Sequence, residues 1–291
     1  MRVATVNVNG IRAAQRRGFA RWLARTAPDV VALQEVRCPE AALPGDAFGG
    51  YHAAYDAGTR AGRNGVAVLT REPPAAVRTL RPEGYDFTIA RELRAAVDQG
   101  RYLEVDLAEA PVTVASVYVP KGGLPAHLQI PERMRERPDQ GAAYESKQRF
   151  THGLSRHLQR SRRWASARGR EFLVMGDFNV AHRELDLAAW RRSKNAVGFL
   201  PAERAWLEEL IGPRTLVDVI RELHPQVPGP YTWWSWLGNS YAADIGWRID
   251  YHFASPRLAR SAVRGWVDRE VDGVRISDHA PVTVDYELGA G

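Results

Sequence analysis

The stretch RISDHAPVTVDY, Arg275 to Tyr286, reads as a strand from Val282 to Tyr286 entered through an adjacent acid and imidazole, Asp278 and His279. Successive strand residues face opposite sides, so neighbours within a strand rarely share a task. At a loop-to-strand junction the backbone can turn and aim both at one point. Similar apolar runs bounded by turn formers recur along the chain: VATVNV (3–8), VVALQEV (30–36), GVAVLT (65–70), RYLEVDL (101–107), VTVASVYV (112–119), EFLVMGDFN (171–179), RIDYHFAS (248–255) and PVTVDYEL (281–288). That is the pattern of buried strands.

Helical patterns lie between some of these runs. They are RGFARWLART (17–26), a longer segment over 146–168 with Phe150, Leu154, Leu158 and Trp164 near helical spacing, and PAERAWLEELI (201–211). The last opens on Pro201 in a first-turn position and carries Trp206, Leu207 and Leu210 on one stripe. Strands outnumber helices and several follow one another directly. The expected fold is therefore sheet packed on sheet with helices outside, as one domain over residues 1–291. Residues 121–146 resist assignment, because three prolines and three glycines interrupt any period. Their Arg133, Arg135 and Arg137 could grip phosphates, and a solvated insertion is the competing reading.

The 291 residues are 45% hydrophobic and 25% charged, ordinary for a globular protein. The opening MRVATVNVNG alternates like a strand and lacks the apolar core of a secretory signal. No stretch approaches the roughly 18 continuous apolar residues of a membrane span. Cys38 is the single cysteine, which excludes an internal disulfide and makes a reducing cytoplasm the expected compartment. The net charge of +6 and pI near 9.7 suit a polyanionic partner. Only three of the 40 basic residues are lysines, however, so GC-rich coding explains the arginine excess equally well.

Several apolar runs end in polar residues that could share one cleft: Asn7 and Asn9, Glu35, Tyr118, Asp177 and Asn179, Asp250, and the pair Asp278-His279. Singly, each is explained as a turn former, an exposed strand end or half-buried packing. Together they suggest a cleft in which a cation offsets the mutual repulsion of carboxylates. With no Cys–His cluster for zinc, acidic oxygens favour a hard ion such as Mg2+.

At this point the chain resembles the exonuclease III type of apurinic/apyrimidinic (AP) endonuclease, within the wider endonuclease-exonuclease-phosphatase superfamily. The resemblance is carried by NVNGIRA (7–13), PDVVALQEVR (28–37), GDFNVAHRELDL (176–187), KNAVGFLPAER (194–204), YTWWSW (231–236), GWRIDY (246–251) and SDHAPV (277–282), in the family's order over essentially the whole chain. It implies an α/β fold, a four-layer α-β-β-α sandwich, and a Mg2+-dependent nuclease, Mn2+ substituting, acting on double-stranded DNA at abasic sites or 3′ ends. A monomer without membrane attachment is expected, cytoplasmic and on the nucleoid when bound to DNA. By this resemblance Glu35 is the principal metal ligand, with Asp278 and Asn9 assisting. Asp177 positions or deprotonates the attacking water, Asn179 holds it, and His279, locked by Asp250, binds a phosphate oxygen. Asn7 and Tyr118 complete the ring. Trp233, Trp234, Leu237 and Trp247 are expected at a pocket for an extrahelical abasic sugar, with Trp236 equally well placed as core, and Arg101, Lys121 and Lys147 on the substrate. Lys121 stands where the family usually has Asn or Gln. A superfamily phosphoesterase acting on RNA, an inositol phosphate or a phospholipid, and a non-catalytic DNA-binding protein, are the competing readings.

Overall fold

The computed structural model describes residues 1–134 and 137–289. Its strands, in chain order, are β1 (Arg2–Asn7), β2 (Val30–Gln34), β3 (His52–Asp56), β4 (Val66–Thr70), β5 (Ala76–Thr79), β6 (Tyr102–Asp106), β7 (Val112–Tyr118), β8 (Glu171–Asp177), β9 (Val217–Asp218), β10 (Asp250–Ala254), β11 (Ala262–Val267) and β12 (Val282–Tyr286). The helices are α1 (Ile11–Arg16), α2 (Phe19–Thr26), α3 (Ala142–Ala167), α4 (Pro201–Leu210), α5 (Val219–Leu223) and α6 (Pro256–Arg260). Two six-stranded sheets result, ordered β11-β12-β1-β2-β4-β3 and β5-β6-β7-β8-β10-β9.

The inner strands are mostly apolar and buried because both of their faces are covered. Val3, Val30, Ala32, Val105, Leu173 and Met175 meet between the sheets. The alternate residues Ala4, Val6, Val31 and Leu33 pack outward under Ile11 of α1 and Phe19, Trp22 and Leu23 of α2. On the other side Tyr102, Val117, Phe172 and Val174 pack under Phe150, Leu154 and Leu158 of α3 and Leu207 of α4. The molecule is thus the expected four-layer α-β-β-α sandwich. In α2 the buried Phe19, Trp22, Leu23 and Thr26 follow helical spacing, and the helix stops at Ala27, ahead of Pro28.

Each sheet contains one parallel pair, β1 with β2 and β7 with β8. Parallel strands end at the same edge, and the antiparallel β12 and β10 begin where their partners end. Six strand termini therefore open on one rim. Register then fixes the order along that rim, with Tyr118 opposite Asp177 and Asp177 opposite Asp250. Just before Asp177, Gly176 has φ +138°, and a Cβ there would lie 2.1 Å from the Val117 carbonyl. Only glycine lets β8 approach β7 this closely.

The segment over 121–146 is partly built. Gln129 donates to the Leu124 carbonyl at 2.8 Å and closes the loop on Asp139, whose carboxylate accepts from the Gly141 and Ala143 amides. This start extends α3 one turn earlier than residue 146. Arg135 and the side chain of Arg133 lie outside the described residues, and Arg137 is exposed.

Candidate active site

The two sheets are joined at the rim by one amide. Asn7 Nδ2 donates to Glu35 Oε1 at 2.8 Å and, across the sandwich, to Asp177 Oδ2 at 2.9 Å. Beneath it, Gln34 Nε2 donates to Ser116 Oγ at 3.0 Å, a second polar tie between the sheets. Asp177 also accepts from the backbone amide of Asn179 at 2.8 Å, and Asn179 Nδ2 reaches the Val119 carbonyl at 2.9 Å. Glu35, Asn9 and Asn179 all adopt left-handed φ values, which turn their side chains back over the rim.

His279 sits 2.8 Å from Asp250 Oδ2 through Nδ1, and the same oxygen accepts from Thr232 Oγ1 at 2.6 Å. The other ring nitrogen lies 3.8 Å from Asp177 Oδ2. Asp278, one residue earlier, faces the opposite way, accepting from Asn9 Nδ2 at 2.8 Å and Trp233 Nε1 at 3.2 Å. The loop-to-strand turn does aim both members of the pair into one cleft.

Burial raises the pKa of Asp177; the opposing pull of His279 is outweighed, with Asp250 and Glu35 raising it further. For His279 burial acts downward, yet Asp250 and Asp177 lift it well above an ordinary imidazole. Burial, then Glu35 and Asp177, hold the Tyr118 hydroxyl protonated. Burial alone would raise Asp278, but His279, Asn9 and Trp233 bring it below the usual carboxylate range.

Glu35, Tyr118, Asp177, Asp278 and His279 line a cleft of about 330 Å³ with Asn9, Arg37, Lys121, Val197, Gly198, Trp247 and Ile249, and Asp250 backs it through His279. Trp233 and Trp247 meet edge to face, ring centroids 6.2 Å apart, and form its apolar wall with Ile249. The sequence reading missed Thr232, Ile249, Val197, Gly198 and Arg37. Ile249 carried a signal, since it is two residues from Trp247 and so on the same side of an extended chain.

Four residues expected on the substrate stand outside the cleft lining. Lys147 is buried, its ammonium bound to Glu203 Oε1 at 2.6 Å and to the carbonyls of Asn179 and Lys121 at 2.9 and 3.1 Å. It anchors the backbone under the cleft. Trp234 is buried behind the wall, with Nε1 donating to Asp244 at 3.0 Å. Arg101 stacks on the Tyr118 ring, 4.9 Å from its centroid, and donates to the Tyr118 carbonyl, bracing it outside the cleft lining. Leu237 is exposed at a loop tip outside that lining. Trp236 is no core residue either; it is exposed with Arg17 and Arg275 over its ring at 4.9 and 4.2 Å. In the AHRELDL and GWRIDY motifs, Asp186 and Arg248 are buried structural partners, Arg248 reaching Asp186 at 2.7 Å and Asp218 at 2.7 Å.

The donor set fits a divalent ion. Asp177, Asp250 and His279 bring ligand atoms within 4.8 Å of one another and could hold a metal, and Asp250 Oδ1 is buried without a partner among the described residues. Glu35, Asn9 and Asp278 form an all-oxygen set on the other flank, and the first two already turn oxygens toward a cation, the Arg37 guanidinium.

With fold and site in view, the chain belongs to the Endonuclease/Exonuclease/phosphatase family, whose profile matches residues 4–279. Among its relatives is a DNA-(apurinic or apyrimidinic site) endonuclease of Dictyostelium discoideum, 27% identical over 99% of this chain and 71% of that protein. An exodeoxyribonuclease of Bacillus subtilis is 28% identical over 97% of this chain and 98% of its own length. An AP endonuclease structure from Archaeoglobus fulgidus superposes with a TM-score of 0.78 at 26% identity, covering 99% of this chain and 100% of the other.

Proposed function

We propose that this chain is a Mg2+-dependent DNA repair nuclease that hydrolyses the phosphodiester 5′ to an abasic site in duplex DNA. The same site would serve 3′-to-5′ exonuclease and 3′-end trimming. One observation carries the reading: Glu35, Asp177, Asp250, Asp278 and His279, from both sheets, meet beside an apolar wall of Trp233, Trp247 and Ile249. The names of the relatives agree with it.

Glu35 and Asp278, with Asn9 beside them, would hold a divalent cation, Mg2+ or Mn2+, which would supply positive charge to the phosphate oxygens. Asp177, raised by burial, is suited to take the proton of the attacking water, and Asn7 and Asn179 fix its orientation. His279, kept protonated by Asp250 and Asp177, donates from Nε2 to a phosphate oxygen as charge accumulates. Asp250 and Thr232 hold the ring in that orientation, as the acid of a triad holds its histidine. Tyr118 stays a hydroxyl and donates from the other side of the cleft. The tryptophan wall admits a sugar that lacks its base, and such a nucleotide costs least to flip out of the duplex.

The test is gel analysis of duplexes bearing an abasic site, a nick, a blunt end or a uracil, beside RNA and an inositol phosphate, with Mg2+ and with EDTA. Incision 5′ to the abasic site is expected to dominate and to vanish in EDTA. Preference for the RNA or the inositol phosphate would overturn the reading.

A further inference from the structure

Arg37 belongs to none of the roles above, yet the chain goes to some length to place it. Glu35 and Arg37 both have left-handed φ, +51° and +53°, a conformation side chains adopt only where the surroundings enforce it. Here the Gly10 and Ile11 amides bind the Glu35 and Val36 carbonyls, and the Val36 and Arg37 amides bind the Gly65 and Asn64 carbonyls. The pinned turn delivers both side chains to the cleft.

Their polar atoms are then distributed without overlap. Glu35 Oε1 is taken by Asn7, and the amide nitrogen of Asn9 is taken by Asp278. Glu35 Oε2 and Asn9 Oδ1 remain, and one guanidinium holds both, through an ion pair to the former and a 2.6 Å hydrogen bond to the latter. These are the oxygens assigned above to the metal. An exposed ion pair two residues apart would by itself be an unremarkable surface contact. This one is not on a free surface: the Glu35 side chain is 10% exposed, while that of Arg37 is 40% exposed and has room to leave.

We propose that Arg37 is a resident counter-cation of the metal site, holding Glu35 and Asn9 toward the cleft and yielding their oxygens when a divalent ion arrives. Guanidinium does not deprotonate in proteins, so it must leave as a whole charge. The displaced side chain stays in the same cleft, where the substrate phosphate is the available anion. Metal and DNA then bind with positive coupling, since each draws off what the other must displace. This rests on the metal-site reading given above.

The experiment measures Mn2+ affinity by electron paramagnetic resonance on the full chain after EDTA treatment, with and without an abasic duplex in an Asp177→Asn background that blocks cleavage. Arg37→Met is expected to tighten Mn2+ about fivefold in the free protein and to abolish the further tightening brought by the duplex. Lys121→Met removes an equal charge from the same cleft and is expected to change affinity less than about twofold. Arg37→Lys, which can engage only one of the two oxygens, should fall between, and it serves if the methionine variant fails to fold. Equal shifts for Arg37→Met and Lys121→Met, or weaker binding in Arg37→Met, would overturn the proposal. Wild-type Mn2+ affinity in Glu35→Gln would instead sink the metal-site reading beneath it.

Discussion

Asn7, at the end of β1 in one sheet, gives its two amide protons to Glu35 and to Asp177, the latter at the end of β8 in the other sheet. This neutral amide donates to a carboxylate of each sheet, and its bond to Asp177 favours that acid's ionised form against burial. Asn7→Ala should leave the two acids facing each other and lower single-turnover incision roughly a hundredfold, the usual loss for one preorganised donor. Circular dichroism would confirm the fold, and incision within about twofold of wild type would count against the bridge.

Thr232 and His279 share one oxygen of Asp250. Asp250→Asn removes the charge that keeps the His279 ring protonated for its donation from Nε2, and at least about a 10²-fold loss in kcat is expected, as for one preorganised donor. Thr232→Val removes only the second bond and should cost about tenfold. If both variants show the same small effect in single-turnover assays, the ring is not oriented by this acid.

Arg248 lies wholly buried between Asp186 and Asp218, beneath the wall formed by its neighbours Trp247 and Ile249. Arg248→Met takes from Asp218 its ion-pair partner and leaves Asp186 only Arg221, all in the interior. A loss of about 3–5 kcal/mol in unfolding free energy is expected from urea titration. A change below about 1 kcal/mol would show that the pair is solvated.

His157 is buried among Tyr85, Phe87 and Tyr102 with neither ring nitrogen bonded to any described residue, and burial, helped by Arg160, holds it down to about 3. Burial likewise brings His252 down to about 4 against its bond to the Val282 carbonyl. In the unfolded chain both titrate near about 6.5. Below that pH the unfolded state binds protons the folded state does not. Stability therefore falls as pH drops from about 6.5 toward the folded values, at about 1.4 kcal/mol per pH unit for each histidine. His157→Phe should flatten the slope by one proton between about pH 6 and pH 4.5, as read from urea midpoints. An unchanged slope would mean that His157 titrates normally.

The fold was legible where strands are buried on both faces, because a continuous apolar run leaves few alternatives. The four strands that went unannounced, β3, β5, β9 and β11, are the four sheet edges. Segments such as HAAYD and AVRGWV are half exposed and carry Asp, Arg or Gly, so nothing local separates them from loops. At the site, residues whose role depends on strand ends were readable. Thr232 and Arg37 were not, because their roles exist only through partners distant in sequence or through an unusual backbone turn. Lys147 misled for the same reason: its partner Glu203 lies 56 residues away on α4. Trp234 could have been separated from Trp233, since neighbours in an extended segment face opposite sides.

The most direct measurement compares Mg2+-dependent incision of a duplex with one abasic site by wild-type protein and by Asp177→Asn, at matched fold. Convergence of both sheets on one phosphate requires wild-type cleavage that EDTA abolishes and a fall of at least about 10³-fold in the variant. Equal rates for the two proteins, or wild-type cleavage that persists in EDTA, would contradict it.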